Sequence, residues 1–305
     1  MFQTPVAIFI FNRPRFTEQL IKALAIVRPS KLFVIADGPR NASDKLSCEQ
    51  TRDIIEQIDW PCTILKRYAK VNIGCRESIP NGLNWVFDQV ETCIILEDDC
   101  IPQPSFFPFC EELLSHYKND ERIMTICGHR SDGPNECENE SYYFSKYPSV
   151  WGWATWKEKW AKFDLNMDQW NALKDSNWLS TIFPNVKAIE YWKRIFDKMK
   201  NGMNTWDYAL VYSCWLHHGL SIRSKVNMIS NVGFGEDATH TRQPYLKDVY
   251  ANSIDIKFPL IHPNLIRIDE AADDRIEWIS FSGMDERILE IAKSEIYKLR
   301  LNEDS

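Results

Sequence analysis

Glu97, Asp98 and Asp99 are three consecutive carboxylates, preceded by the apolar run Cys93–Leu96 and followed by Pro102 and Pro104. A short unbroken apolar run suits a strand covered on both faces of a parallel sheet, and the prolines end it. Adjacent carboxylates at the carboxyl end of a buried strand repel one another. Two surroundings suit them: a mouth that holds a divalent cation, or a solvated acidic turn. Two other apolar runs end in polar residues, Val6–Phe11 in Asn12-Arg13 and Lys31–Ala36 in Asp37-Gly38. In a parallel sheet these ends share one edge, so one ligand can meet all of them. Arg and Asp there suit a nucleotide base and ribose, the Arg through a planar donor fork and the Asp as an acceptor. A last carboxylate can hold a cation whose other ligands are phosphate oxygens and water. The chain has neither the glycine fingerprint of dinucleotide sites nor a Walker A sequence. The phosphates are therefore expected to be neutralised by metal. The ligand this describes is a nucleoside diphosphate carrying a group other than phosphoryl for transfer.

The elements that must position these residues follow from periodicity. Val6–Phe11, Lys31–Ala36, Cys62–Tyr68 and Cys93–Leu96 read as strands. Phe16–Val27, Ser47–Ile58 and Ser78–Gln89 carry helical spacing between them. This alternation predicts a doubly wound α/β sheet, mostly parallel. Beyond it, the pattern predicts a helix over Pro104–Lys118, a strand over Ile123–Cys127, a loop over 128–142 and an edge strand within Tyr142–Val150. Trp153, Trp156 and Trp160 fall at i, i+3 and i+7, which predicts a helix over Trp151–Phe163 with the indoles on one face. Further helices are expected over Ile189–Lys200 and Trp206–His218, and a strand over Ser221–Ile229. Asn231–Tyr245 reads as a functional loop, Pro259–Asp274 as irregular chain, and Asp285–Leu301 as a terminal amphipathic helix. Residues 1–255 form one expected domain, with a nucleotide-binding half (1–127) and an aromatic-rich acceptor half (128–255), followed by a C-terminal extension (256–305).

Composition bounds the function. The chain has 305 residues, 44% of them apolar and 26% charged, which is ordinary for a globular protein. A net charge of −7 argues against duplex nucleic acid or an anionic membrane as the main partner. The nine cysteines lack CxxC spacing, so free thiols are expected rather than zinc or a disulfide framework. The first residues lack a basic segment before an apolar run, and a cytoplasmic location is expected, with the inner membrane face as a possible site of work.

The ordered set of motifs resembles the GT-A nucleotide-sugar glycosyltransferases, and the acidic triplet is similar to the Glu-Asp-Asp form of the DxD motif in N-acetylglucosaminyltransferase I. FNRPRFTEQLIKAL resembles that family's first strand, turn and helix. ADGP resembles the acidic end of its second strand, and EDDCIPQPSFFPFCEELL the stretch after its metal motif. NIGCRES together with EDDCIPQPSFF also resembles a pattern of bacterial glycosyltransferase-like proteins. The resemblance implies a GT-A fold and transfer of a sugar from a nucleotide-sugar donor, with UDP as the nucleotide and Mn²⁺ or Mg²⁺ as the metal. The acceptor would be a glycan, a lipid-linked sugar or another glycoconjugate.

By position, the resemblance implies that Arg13 and Asp37 meet the base, Asp98 the ribose and Asp99 the metal. Asn12 stands where the family has an Asp. Asp207, in NTWDYAL, falls where the family's general base lies at a helix start, which implies inversion at the anomeric carbon; Glu236 and Asp237 are the alternatives. His240 would be a second metal ligand or a diphosphate contact. Lys70, Asn72 and Arg76 are expected on the diphosphate side, and Trp151, Trp153 and Trp206 as a platform on which sugar C–H faces stack. His217 and His218 are expected to be structural. Two rival readings are a sugar-nucleotide nucleotidyltransferase, which should carry a glycine-rich loop that FNRPRF lacks, and a degenerate transferase that only binds glycans.

Overall fold

The structure is a computed structural model that describes residues 1–130, 139–233 and 252–280, without the side chains of 278–280. Its centre is an eight-stranded sheet. The strands are β1 (Val6–Ile10), β2 (Lys31–Ala36), β3 (Thr63–Tyr68), β4 (Thr92–Glu97), β6 (Ile123–Cys127), β7 (Tyr142–Ser145), β8 (Trp153–Trp156) and β9 (Leu220–Ser224), in the order β3-β2-β1-β4-β8-β6-β9-β7. β3, β2, β1 and β4 are mutually parallel. β8 runs antiparallel to both β4 and β6, β9 parallel to β6, and β7 antiparallel to β9. The result is the mostly parallel, helix-flanked sheet that the GT-A resemblance implies. A separate two-stranded ribbon pairs β5 (Cys100–Pro102) with β10 (Ile229–Asn231).

Side-chain alternation along β1 separates two cores. Val6, Ile8 and Ile10 pack with Leu20 and Leu24 of α1 (Pro14–Val27), Ile55 of α2 (Ala42–Ile55), and Phe106, Phe109 and Leu113 of α4 (Phe106–His116). Ala7 and Phe9 face the other way. They pack with Ile79 and Leu83 of α3 (Cys75–Phe87), with Trp160 of α5 (Lys157–Trp160), and with Leu210 of α9 (Asp207–Leu216). α9 is apolar nearly all round because it is sandwiched. Its outer face meets a third, aromatic cluster from Trp170 of α6 (Trp170–Leu173), Leu179 of α7 (Trp178–Ile182), and Trp192 and Phe196 of α8 (Val186–Lys200). A last described helix, α10 (Glu270–Ser280), contributes Ile276 to that cluster.

Three expectations fail in instructive ways. Trp153–Trp156 is a strand, not part of a helix. Residues three apart share a face on a helix but take opposite faces on a strand, and here Trp153 joins one core and Trp156 the other. The run had to be a strand because β4 and β6 would otherwise lack a partner between them. The expected strand over Ser221–Ile229 is broken into β9 and β10, and β10 leaves the main sheet to pair with β5 beside the acidic triplet. Pro259–Asp274 is not irregular throughout, since α10 starts at Glu270. The expected terminal helix over Asp285–Leu301 lies outside the described residues. No helix among the described residues is long and apolar enough to cross a membrane.

Candidate active site

Strand order fixes where a site can form. β1, β2 and β3 succeed one another in one direction, and the chain then crosses to place β4 on the other side of β1. Open α/β sheets have their ligand crevice at such a reversal, outside the carboxyl ends of the strands. A cavity of about 850 Å³ lies there. Its walls include Asn12, Arg13, Asp37, Asn72, Glu97, Asp98, Asp99, Trp151, Trp206 and Asp207. β8 runs antiparallel to β4, so it enters the sheet at this edge, and that brings Trp151 to the cavity.

Arg13 stands at the position before α1 and bridges the triplet. Its Nη1 donates to Asp99 Oδ2 at 2.8 Å, and its Nη2 to Asp98 Oδ1. Burial opposes the charge on Arg13, but the fields of Asp98 and Asp99 outweigh it and raise its pKa. Asp98 is 1% exposed and also accepts from Phe11 N at 3.3 Å. Burial pushes its pKa up to about 6 against the pull of Arg13. Glu97, half-buried at the cavity wall, is pushed up to about 8, first by desolvation and then by Asp99. Arg13 thus offsets only part of the acidic charge crowded into this wall.

Asp37 is used differently. Its Oδ1 accepts from Gly38 N at 2.7 Å and Ile73 N at 3.1 Å, and its Oδ2 from Asn72 Nδ2 at 2.9 Å and Gly74 N at 3.0 Å. The carboxylate therefore organises the turn before α3, with four donors already in place. Asn12 Nδ2 donates to Asp44 Oδ1 at 2.8 Å, and Asp44 is also gripped by Arg40. Asp207 is the first residue of α9, where a carboxylate is favoured by the helix dipole. Thr205 Oγ1 donates to its Oδ1 at 2.5 Å.

Three expected positions stand elsewhere. Arg76 does not line the cavity; its guanidinium reaches the carbonyls of Met199, Met203 and Leu165 at 3.2–3.4 Å. Its register on α3 turns it to the aromatic half. Trp153 is 1% exposed and stacks on Trp206 with ring centroids 5.8 Å apart; Trp206 borders the cavity but is buried in the same core, so of the three platform candidates only half-buried Trp151 presents surface to the cavity. Lys70 is likewise absent from the cavity wall. His217 closes the end of α9 and His218 follows it with φ +52°. Glu236, Asp237 and His240 lie outside the described residues.

Sequence reasoning missed what β10 does. Val232 N donates to Asp99 O at 2.9 Å, and Gly233 N to Asn231 Oδ1 at 2.9 Å. A Cβ on Gly233 would lie 2.2 Å from Asp99 Oδ2, so glycine is what lets this backbone close over the third carboxylate. The glycine pattern of the late loop was the available signal; its partner was not.

Compared with known sequences, the chain is 26% identical over a 200-residue alignment to alpha-1,3-mannosyl-glycoprotein 2-beta-N-acetylglucosaminyltransferase of Arabidopsis thaliana. The chain is similar to a glycosyltransferase. The match covers 57% of the chain and 44% of that relative, so the chain spans less than half its length. No family model matches the chain. Among solved structures, LgtC superposes with a TM-score of 0.40 at 10% identity, covering 93% of this chain and 98% of that one. S. aureus TarS does so with a TM-score of 0.36 at 11% identity, covering 52% and 47%.

Proposed function

We propose that the chain is a metal-dependent, inverting glycosyltransferase that moves a sugar from a nucleoside diphosphate sugar, with UDP as the nucleotide, to a hydroxyl of a glycan or glycoconjugate. The observation that carries this is the shared cavity at the sheet's reversal point, with the Arg13-bridged triplet and Asp207 in its walls. The N-acetylglucosaminyltransferase likeness supports the same reaction class.

The residues fit a divalent ion. Asp99 faces the cavity with carboxylate oxygens of the hard type that Mn²⁺ and Mg²⁺ prefer, and glycine at 233 leaves the space beside Oδ2 free of a side chain. Among the described residues, no three ligating side chains converge. The ion would therefore rest on Asp99, diphosphate oxygens and water. When bound, it neutralises charge on the departing diphosphate.

The chain's own residues do the rest. Arg13 holds Asp98 and Asp99 in register, and Asp98 stands at the ribose. Trp151 offers a flat face to a sugar ring, while Trp206 backs the cavity wall from the core. Asp207 accepts the proton of the acceptor hydroxyl as its oxygen attacks the anomeric carbon. The bond from that carbon to the diphosphate breaks, and its electron pair leaves with the nucleotide. The test is UDP release from a panel of UDP-sugars with Mn²⁺ and candidate acceptors. Turnover that Asp99→Ala abolishes and Asp207→Asn cuts to a small measurable residue is the expected result. A nucleotide triphosphate condensing with a sugar phosphate would instead mark a nucleotidyltransferase and overturn the reading.

A further inference from the structure

The chain preceding Asp207 is fastened to the sheet edge through a continuous set of contacts. Asp37, at the end of β2, gathers Asn72, Ile73 and Gly74. Gly74 has φ +79° and lies so close to Asn204 that a Cβ would sit 2.9 Å from its Oδ1. Cys75 Sγ donates to Asn204 O at 3.2 Å. Arg76 Nη1 donates to Met199 O at 3.3 Å and Met203 O at 3.2 Å, carbonyls at and just beyond the end of α8, the first of which also accepts from Gly202 N at 3.1 Å. Thr205 N donates to Met203 O at 2.8 Å, and Thr205 Oγ1 to Asp207 Oδ1. The other oxygen of Asp207 accepts no hydrogen bond from the described residues.

We propose that Arg76 and Thr205 are positioning residues for Asp207. Arg76 fixes the connection between α8 and α9, and Thr205 fixes one carboxylate oxygen so that the other is presented to the substrate. Neither residue touches the reacting atoms. A cation set against the carbonyl end of α8 holds that end by charge as well as by hydrogen bonds. A hydroxyl on one carboxylate oxygen removes the rotational freedom that a general base at a helix start otherwise keeps. The arrangement explains why an Arg sits one turn from the nucleotide edge without reaching the cavity. This inference rests on Asp207 being the general base.

The test uses the full chain with Thr205→Val, Thr205→Ser, Arg76→Gln and Arg76→Lys, each alone and combined with Asp207→Asn. kcat, donor KM and the thermal shift given by UDP with Mn²⁺ are measured. Loss of one hydrogen bond to a carboxylate predicts that Thr205→Val lowers kcat about 10-fold. Thr205→Ser should restore it, with donor KM and thermal shift unchanged in both. Misplacement of the whole connection predicts about 100-fold for Arg76→Gln, and less for Arg76→Lys. In the Asp207→Asn background neither change should lower kcat further, because the group being aimed is gone. Losses that add in full to that of Asp207→Asn, or a Thr205→Val enzyme with parental kcat, would overturn the proposal while leaving the base reading intact. Parental kcat in Asp207→Asn would remove the base reading itself. Independently of turnover, crystal structures of the parent and Thr205→Val report the Asp207 rotamer: a change supports the proposal and identity overturns it.

Discussion

Replacing Gly233 with Ala tests the triplet without touching an acid. The new Cβ would lie 2.2 Å from Asp99 Oδ2, 2.9 Å from its Cγ and 3.0 Å from its Cβ. Ordinary contacts between such atoms need about 3.5 Å, so rotating the carboxylate tip alone does not relieve the overlap, and the whole side chain must move by about 1 Å. The bond to Arg13 Nη1 at 2.8 Å is lost with that movement. The effect on folding is small: an off-rotamer side chain costs about 0.5–1.5 kcal/mol, and the Gly→Ala change returns about 0.4–1 kcal/mol through the unfolded chain. Tm should therefore stay within about 4 °C of the parent. The effect on ligand is large, since a 1 Å misplacement in a site is worth about 100-fold, or about 2.7 kcal/mol. Titrating UDP into the protein with Mn²⁺ by calorimetry reads this directly. Asp99→Ala should weaken binding similarly, and the double variant no more than either. A Gly233→Ala protein that binds UDP with Mn²⁺ as the parent does would refute the assignment of Asp99 to the ion.

Other expectations are independent of ligand. Trp153→Ala, in a fully buried site between Trp206 and Trp160, should cost about 3–5 kcal/mol in denaturant unfolding; a change below about 1 kcal/mol would put the indole outside the core. Gly38→Ala places a Cβ 2.4 Å from the Val71 backbone carbonyl carbon and should cost about 1–3 kcal/mol by overpacking, read as a lowered denaturation midpoint that a parental value would contradict. Asp273 accepts from Ser145 Oγ and from Lys146 N, yet burial pushes its pKa up from 3.8 to about 6. The folded state therefore binds its proton more tightly than the unfolded chain does. The corresponding stability is fully present below pH 4 and is lost as pH rises through 6, by about 3 kcal/mol. Unfolding free energies of parent and Asp273→Asn measured from pH 4 to 7 should diverge by that amount, with the parent losing relative stability upward; a constant difference would refute it.

Much of the fold could be read from residue order because β1, β2 and β4 are apolar on both faces and end in polar residues, while β3, with Lys66 and Arg67, reads as the exposed edge beside them. Only a parallel, doubly covered sheet satisfies such runs. The edge that gathers Arg13, Asp37 and the triplet followed from that alone. What could not be read depends on partners distant in sequence. The Trp153–Trp156 run fits a helix by spacing and a strand by neighbours, and β4 and β6 decide. Arg76 reads as an anion contact until the carbonyls of Met203 and Leu165 come within reach. Asp37 reads as a ligand acceptor until the backbone of Ile73 and Gly74 claims its oxygens.

The antiparallel insertion of β8 has a consequence for engineering. A fragment stopped after residue 127 would leave β4 and β6 without the strand that bonds to both, two long apolar margins open to water. Such a fragment should associate with itself rather than fold. Exchange of C-terminal halves between homologous chains is for the same reason expected to succeed only when each graft carries its own Trp153–Trp156 seam.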